Sequence, residues 1–406
     1  MLLTCITITV AQAVEPLWIV NTSPGLELKT VSISADGSLI VAGGDQLVGI
    51  SRDGKKLWAG WDGELVEIDR DGKYILTSQG TFVRLFDPNG ASLWDQTFSG
   101  TVTDISITPD GLMIAAGSGS SVKSWYNSGV GLGSNTTDKV KHIRVSPAKD
   151  QIIVSTEPAL RSFNLSYVPI WSDDEVSPDL MELSADGTHI VTTLGNWIWF
   201  HHGSGKRIWE KHIQGGSILS LAFSRDGSTI VAGQDDNTIT VLDSNSTVLW
   251  TAHAGSWVTS VGVSDNGSVI VAGSMDKTLY VFDRKGTLLG TFQATGVLKS
   301  RSVGISGDGS RIVAVDGINV YGFSGSQFSR PTPTGTSGTT IIPSTIPANK
   351  TLTPVSTPSL IATSQSGTVQ TIVPPVPATT QKSGIPWILS LIPVAVIAFI
   401  RQKRRT

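Results

Sequence analysis

Residues 34–43 read Ser34-Ala35-Asp36-Gly37-Ser38-Leu39-Ile40-Val41-Ala42-Gly43. A hydroxyl residue and an Asp-Gly pair precede a short apolar run rich in branched side chains. Asp hydrogen-bonds its own backbone and Gly accepts positive φ, so the pair is a tight turn and the run a buried strand. The phrase returns at Asp71-Gly72, Asp110-Gly111, Ala148-Lys149 in degenerate form, Asp186-Gly187, Asp226-Gly227, Asn266-Gly267 and Asp308-Gly309. The steps between successive turns are 35, 39, 38, 38, 40, 40 and 42 residues.

A second landmark runs in phase with the first. An apolar-Trp pair follows the turn at Leu57-Trp58, Leu93-Trp94, Ile170-Trp171, Ile208-Trp209 and Leu249-Trp250, with each Trp 22, 23, 23, 23 and 24 positions beyond its turn residue. Leu288-Leu289 is assigned to the slot in the seventh copy and Gly131-Leu132 in the third. In the eighth copy the slot falls on Pro331-Thr332-Pro333, which cannot form a central strand. The orphan pair is Leu17-Trp18, ahead of the first repeat. A fixed period near 40 built of short strands predicts an all-β, eight-bladed β-propeller over residues 14–327. The N-terminal strand is expected to complete the last blade and so remove two open sheet edges. Seven blades result if the copy around Ala148 is a distorted insertion.

Composition is consistent with this reading. The chain has 406 residues, 39% of them hydrophobic and 16% charged, with 43 glycines. Many turns between buried strands call for such a balance. The formal net charge is −3 and no Lys/Arg stripe interrupts the repeats, which weighs against nucleic acid. The single cysteine, Cys5, lies in an N-terminal apolar stretch that ends in Ala11-Gln12-Ala13. Residues 1–13 are expected to be a signal peptide. Residues 328–383 are rich in Thr, Ser and Pro without periodicity, a composition that suits an extended stalk. Residues 384–400 are uncharged and apolar, with Trp387 near one end, and Arg401-Gln-Lys-Arg-Arg-Thr406 follows. This pattern predicts a transmembrane helix with a basic cytoplasmic tail and the propeller outside the cell.

Several blades resemble known repeats. Leu221-Ala-Phe-Ser-Arg-Asp-Gly through Val241-Leu-Asp243, and Val261-Gly-Val-Ser-Asp-Asn-Gly through Val281-Phe-Asp283, look like WD-repeat blades. The resemblance implies that Asp236 and Asp276, in the turn between the second and third strands, pair with His212 and His253. The Gly-x-x-Leu-Trp ending, as in Gly54 to Trp58, is similar to the pyrroloquinoline-quinone-type propeller repeat, whose Trp docks blade on blade. Stalk, helix and basic cluster together resemble the C-terminal tails that exosortase- and archaeosortase-type systems recognise. The chain is therefore expected at a prokaryotic, archaeal-type cell surface.

The chemistry-bearing residues are sparse. Asp36, Asp71, Asp110, Asp186, Asp226 and Asp308 are read as turn formers, and Trp18, Trp58, Trp94, Trp171, Trp209 and Trp250 as blade-docking side chains. Six sequons are present, at Asn21, Asn135, Asn164, Asn245, Asn266 and Asn349, which are candidate glycosylation sites. In Asn196-Trp-Ile-Trp-Phe-His-His202, the side chains of Trp197, Trp199 and His201 share one strand face. That face is either interblade packing or an aromatic platform for a sugar or peptide. Trp61, in Gly60-Trp-Asp-Gly63, stands outside the repeated Trp position and is a candidate binding anchor. No catalytic constellation, metal-ligand spacing or cofactor fingerprint is visible, and no cofactor is expected. The function expected is a non-enzymatic scaffold that binds a protein or glycan. The alternatives are a quinoprotein-like or hydrolytic enzyme with its site at the central channel, favoured by carboxylates and His converging there, and a structural surface-layer component.

Overall fold

The computed structural model describes residues 12–148 and 150–328. Thirty-two strands among them form eight four-stranded antiparallel sheets. Seven sheets use consecutive strands, the first being β2(Leu28–Ile33), β3(Leu39–Gly44), β4(Leu47–Ser51) and β5(Lys56–Gly60). We number the blades in chain order and call their strands A to D from the channel outward. The eighth blade takes β30(Val303–Ile305), β31(Arg311–Val315) and β32(Asn319–Ser324) from the C-terminal end, and β1(Trp18–Asn21) as its outer strand. Trp18 pairs with Gly322 and Asn21 with Asn319, so the ring closes where the orphan Leu-Trp pair predicts. Blade 4, which contains the degenerate turn, is a complete sheet of β14(Lys139–Val145) to β17(Pro169–Asp173). The count is therefore eight.

The apolar run of each repeat becomes strand B. In blade 1 all six residues of β3 are buried. A strand sandwiched between two neighbouring blades has both faces covered and reads as a continuous apolar run, whereas the D strands alternate. Eight apolar clusters result, one between each pair of adjacent blades.

The repeated Asp forms the A–B turn by one mechanism. Asp36 Oδ1 accepts the Ser34 hydroxyl at 2.7 Å and the Ser38 amide at 2.9 Å, and Ser34 Oγ accepts the Leu39 amide at 3.0 Å. Asp110, Asp186, Asp226 and Asp308 repeat this with Thr108, Ser184, Ser224 and Ser306, and Asn266 does so with Ser264. Blade 2 differs. Asp69 replaces the Ser and accepts the Tyr74 amide at 2.6 Å, while Asp71 pairs with Lys73.

Each repeated Trp lies over the next blade. The indole N–H of Trp18, Trp58, Trp94, Trp171, Trp209 and Trp250 donates to the carbonyl of Arg52, Pro88, Asn127, Gly203, Ser244 and Arg284 respectively. Two expectations need correction. The pairs equivalent to Leu57-Trp58 are Leu132-Gly133 and Leu289-Gly290, not Gly131-Leu132 and Leu288-Leu289. Gly133 faces Ser124, and Gly290 faces Val281, across the ladder as Trp58 faces Gly49. An aromatic ring from the neighbouring blade fills each vacated space. A Cβ on Gly133 would come within 2.8 Å of Tyr167, and one on Gly290 within 2.9 Å of Phe328.

Gln12 and Ala13, assigned to the signal peptide on sequence, lie along blade 7. Gln12 O accepts the Thr291 amide, and the Val14 amide donates to Thr291 O at 2.9 Å. The rest of residues 1–13, nearly all of the stalk, the helix at 384–400, the tail at 401–406 and the sequon Asn349 lie outside the described residues. Among the described residues no helix is long and apolar enough to cross a membrane.

Candidate functional site

Antiparallel connection puts the D–A loops and B–C turns at one face of the ring and the Asp-Gly turns at the other. The channel is lined by the A strands. Two and four residues before the repeated Ser, the eight A strands carry different side chains. Blades 2 to 5 supply Glu67, Asp104, His142, Arg144 and Glu182, whereas Ser32, Ala222, Gly262 and Gly304 stand at the equivalent place in blades 1, 6, 7 and 8. One wall is charged and the other is built of small residues. A cavity of about 240 Å³ lies between them, toward the D–A loops.

Asp104 organises the charged wall. It is fully buried. Oδ2 accepts the Ile143 amide at 3.1 Å and Arg144 Nη1 at 2.8 Å, and faces His142 Nδ1 at 3.2 Å. Oδ1 accepts Arg301 Nη2 at 2.9 Å, from the opposite side of the channel. Arg144 Nη2 continues to Glu182 at 3.1 Å. Glu67 Oε2 accepts the Ile107 amide at 3.1 Å, and among the described residues Glu67 has no ion pair.

Burial works against the Asp104 charge, but Arg144, Arg301 and the His142 hydrogen bond outweigh it and hold the carboxyl far below the usual carboxylate range. For Arg144, burial is likewise overcome, here by Glu182, Asp104 and Glu67, and its pKa rises. Glu67 behaves oppositely. Desolvation pushes its carboxyl up to about 7, and Arg144 compensates only in part. Carboxylates and a histidine do converge on the channel, the arrangement that the enzymatic alternative calls for. Asp104, however, is occupied by four donors and is not available as a base. Among the described residues no group of His, Cys, Asp and Glu is arranged to hold a metal ion.

The face bearing the D–A loops also carries exposed apolar side chains. Trp61 is 53% exposed and holds a left-handed backbone at φ 42°. Its ring lies 5.8 Å from Phe86, with the Arg84 guanidinium 5.0 Å from its centroid. Arg84 sits equally over Phe82, which is also exposed. Trp257 is 52% exposed, and its carbonyl accepts the amide of exposed Met275. Leu194 and Trp197 pair across the B–C hairpin of blade 5, and Ile318 is exposed in blade 8.

The platform at 197–201 divides. Trp197 is partly exposed, stacking on Trp199 at 6.1 Å and meeting His212 edge-on at 5.1 Å. Trp199 is buried and donates to Glu210, and His201 is fully buried against Asp173. The Asp-His pairs implied by the WD-repeat resemblance do not form. His212 packs on Trp197, and His253 faces Thr238. Asp236 caps the Thr238 amide. Asp276 accepts the Gly255 amide at 2.7 Å and the Tyr280 hydroxyl at 2.6 Å. Blade 8 repeats that network with Asp316, Gly296 and Tyr321.

Of the sequons, Asn245 and Asn266 are exposed in turns. The Nδ2 of Asn21 already donates to Asn319 at 2.7 Å. Asn164 folds onto the Ser166 and Val168 amides, and Asn135 onto that of Thr136.

Sequence reading passed over Glu67, Asp104, His142, Arg144, Glu182 and Arg301. Aligning the repeats on their Ser would have shown charged residues concentrated in four consecutive A strands. It would not have shown Arg301, which sits in the long loop before blade 8.

Comparison with known proteins agrees with this geometry. The family model "WD domain, G-beta repeat" matches residues 94–126, 203–243 and 245–283. No curated protein matches the chain. Among solved structures, Sqt1 of Chaetomium thermophilum bound to the N-terminus of the ribosomal protein L10 superposes with a TM-score of 0.63 at 16% identity, covering 74% of this chain and 97% of that one. The C-terminal WD40 domain of Sif2 gives 0.66 at 14%, covering 77% and 99%. Sqt1 of Saccharomyces cerevisiae gives 0.64 at 10%, covering 77% and 100%. At these identities the likeness is one of fold.

Proposed function

We propose that this protein is a non-catalytic propeller that binds a protein partner on the face carrying its D–A loops and B–C turns. The observation that carries the reading is the set of exposed apolar anchors on that face, led by Trp61 and Trp257. Exposed Trp is the side chain most able to concentrate binding energy at an interface. Trp61 also sits in a backbone conformation that a bulky residue adopts at a cost, which is frequent at functional positions. A protein of the same fold, Sqt1, is solved with the N-terminus of another protein bound, which supports a protein in preference to a glycan.

We further propose that residues 384–400 anchor the chain in a membrane, with the basic tail inside and the propeller outside at a prokaryotic cell surface. The support is the uncharged apolar run followed by four basic residues. Protease added to intact cells is expected to remove the propeller. Its full protection there would overturn the outside location.

The interaction reading is tested by cross-linking in cells. Trp61→Ala and Trp257→Ala together are expected to cut recovery of the wild-type partner at least tenfold, whereas Leu57→Ser and Leu93→Ser on the outer rim leave it unchanged. Equal loss from the rim variants would sink the assignment of the face.

A further inference from the structure

The wall of the channel is short of one positive charge. Three carboxylates, Glu67, Asp104 and Glu182, face two guanidiniums, Arg144 and Arg301. Both guanidiniums bind Asp104, and Arg144 also holds Glu182. Glu67 is left with a single backbone donor, Ile107. A carboxylate in a protein channel without a cation is poorly stabilised, since its attraction to fixed charges must replace lost hydration.

The cavity beside it has room. Its volume is about 240 Å³. The opposite wall offers Ser220, Thr259, Ser260 and Ser300, which are small and polar. At the Asp-Gly face, Arg70 of blade 2 meets Asp265 of blade 7 at 2.7 Å, with Arg225 at 3.8 Å from the same carboxylate. The cavity lies toward the other end, the face that carries Trp61 and Trp257.

We infer that the channel cavity is a binding site for an organic cation, an ammonium or guanidinium head that enters from the D–A loop face and is seated against Glu67 and Glu182. This rests on the reading of that face as the binding face, the head being a Lys, Arg or N-terminal ammonium of the protein partner. The small-residue wall takes the aliphatic stem, and the serine and threonine hydroxyls accept from the head. An anion would contact Arg301 only at the expense of Asp104 and would face Glu67 and Glu182. The charged groups around Glu67 are Asp104, Arg144, Glu182 and Arg301, with His142 beside them. Burial raises the Glu67 carboxyl to about 7, so cation binding releases a proton from it.

The test is calorimetric titration of the full chain with n-butylammonium and n-butylguanidinium chloride, with sodium butyrate as the anionic control. Saturable binding of at least one cation is expected, with butyrate silent. The affinity should fall about tenfold from pH 8 to pH 6, as the ionised fraction of a group with a pKa near 7 falls from about nine-tenths to one-tenth. Glu67→Gln keeps the acceptor for Ile107 and is expected to weaken binding at least tenfold and abolish the pH dependence. Glu182→Gln, the second variant, weakens binding without removing that dependence. Absence of cation binding to the wild type, binding of butyrate in its place, or an unchanged affinity in Glu67→Gln would each overturn the inference. These readouts need no partner, so they fail independently of the cross-linking result on Trp61 and Trp257.

Discussion

Tyr167 fills from blade 4 the space that a tryptophan at position 133 would fill from blade 3. In blades 1, 2, 3, 5 and 7 the equivalent turn position is a glycine with φ near 80°, and a Cβ on it would meet the Trp of the preceding blade. Where Gly133 replaces that Trp, Tyr167 adopts the left-handed conformation itself, at φ 59°. The two positions have exchanged large for small. Gly133→Trp alone is expected to destabilise by about 2–3 kcal/mol through overpacking. Tyr167→Gly alone should cost about 3–5 kcal/mol through the cavity it leaves. The double variant should be less destabilised than the sum by about 1–3 kcal/mol, read from urea unfolding. Strict additivity would show that the sites do not share one space. The exchange is invisible to spacing, because a one-residue ambiguity in a Gly-rich strand hides the slot. By contrast, the turn function of Asp36 or Asp226 was legible, since its partners lie within five residues.

At the scale of the element, closure depends on a strand of four residues. β1 supplies the outer edge of blade 8 and carries Trp18, which docks on blade 1. Without it, β32 becomes an exposed edge and the interface between blades 8 and 1 loses its aromatic cover. Trp18→Ala is expected to cost about 2–4 kcal/mol from lost indole burial and one hydrogen bond. A Pro at Val20 should be worse, because Val20 pairs within the ladder. Thermal unfolding followed by size exclusion checks this, with aggregation of the Val20→Pro protein as the expected outcome. A chain of backbone bonds runs along the Asp-Gly face from blade 5 through blade 8 to blade 3. The residue after the repeated Ser makes most of them, Gly307 to Ala35 and Ala35 to Arg70 among them, and Asp226 donates in blade 6. Pro109 and Pro147 occupy this place in blades 3 and 4 and have no N–H to donate.

For the whole molecule, ionisation sets opposing pH limbs. Asp36, Asp226 and Asp308 titrate below the ordinary Asp value, and Asp186 and Asp316 at about 2, because despite burial their turn and loop hydrogen bonds stabilise the charge. Depressed pKa values give stability that is present above about pH 4 and lost as pH falls toward 2. Glu67, raised to about 7 by burial, gives stability that is complete below about pH 4.5 and lost as pH rises through 7. The melting temperature is therefore expected to peak between about pH 4 and 5. Glu67→Gln should flatten the neutral limb by about 1–2 kcal/mol, less than the shift alone implies because the carboxyl keeps some solvent in the cavity. A limb unaltered by that variant would refute the assignment.

The repeat period, the turns and the closing strand follow from the sequence by itself, because each rests on a short pattern repeated at a fixed spacing, whereas the choice of eight blades over seven needed the complete sheet of blade 4. The charged wall, the lack of an ion-pair partner for Glu67 among the described residues and the gathering of Trp61 and Trp257 on one face were decided only by the tertiary structure. Asp104 and Arg301 are 197 residues apart in the chain and meet only once the ring is closed. Their energetics depend on burial and on neighbours from other blades, which no local pattern records.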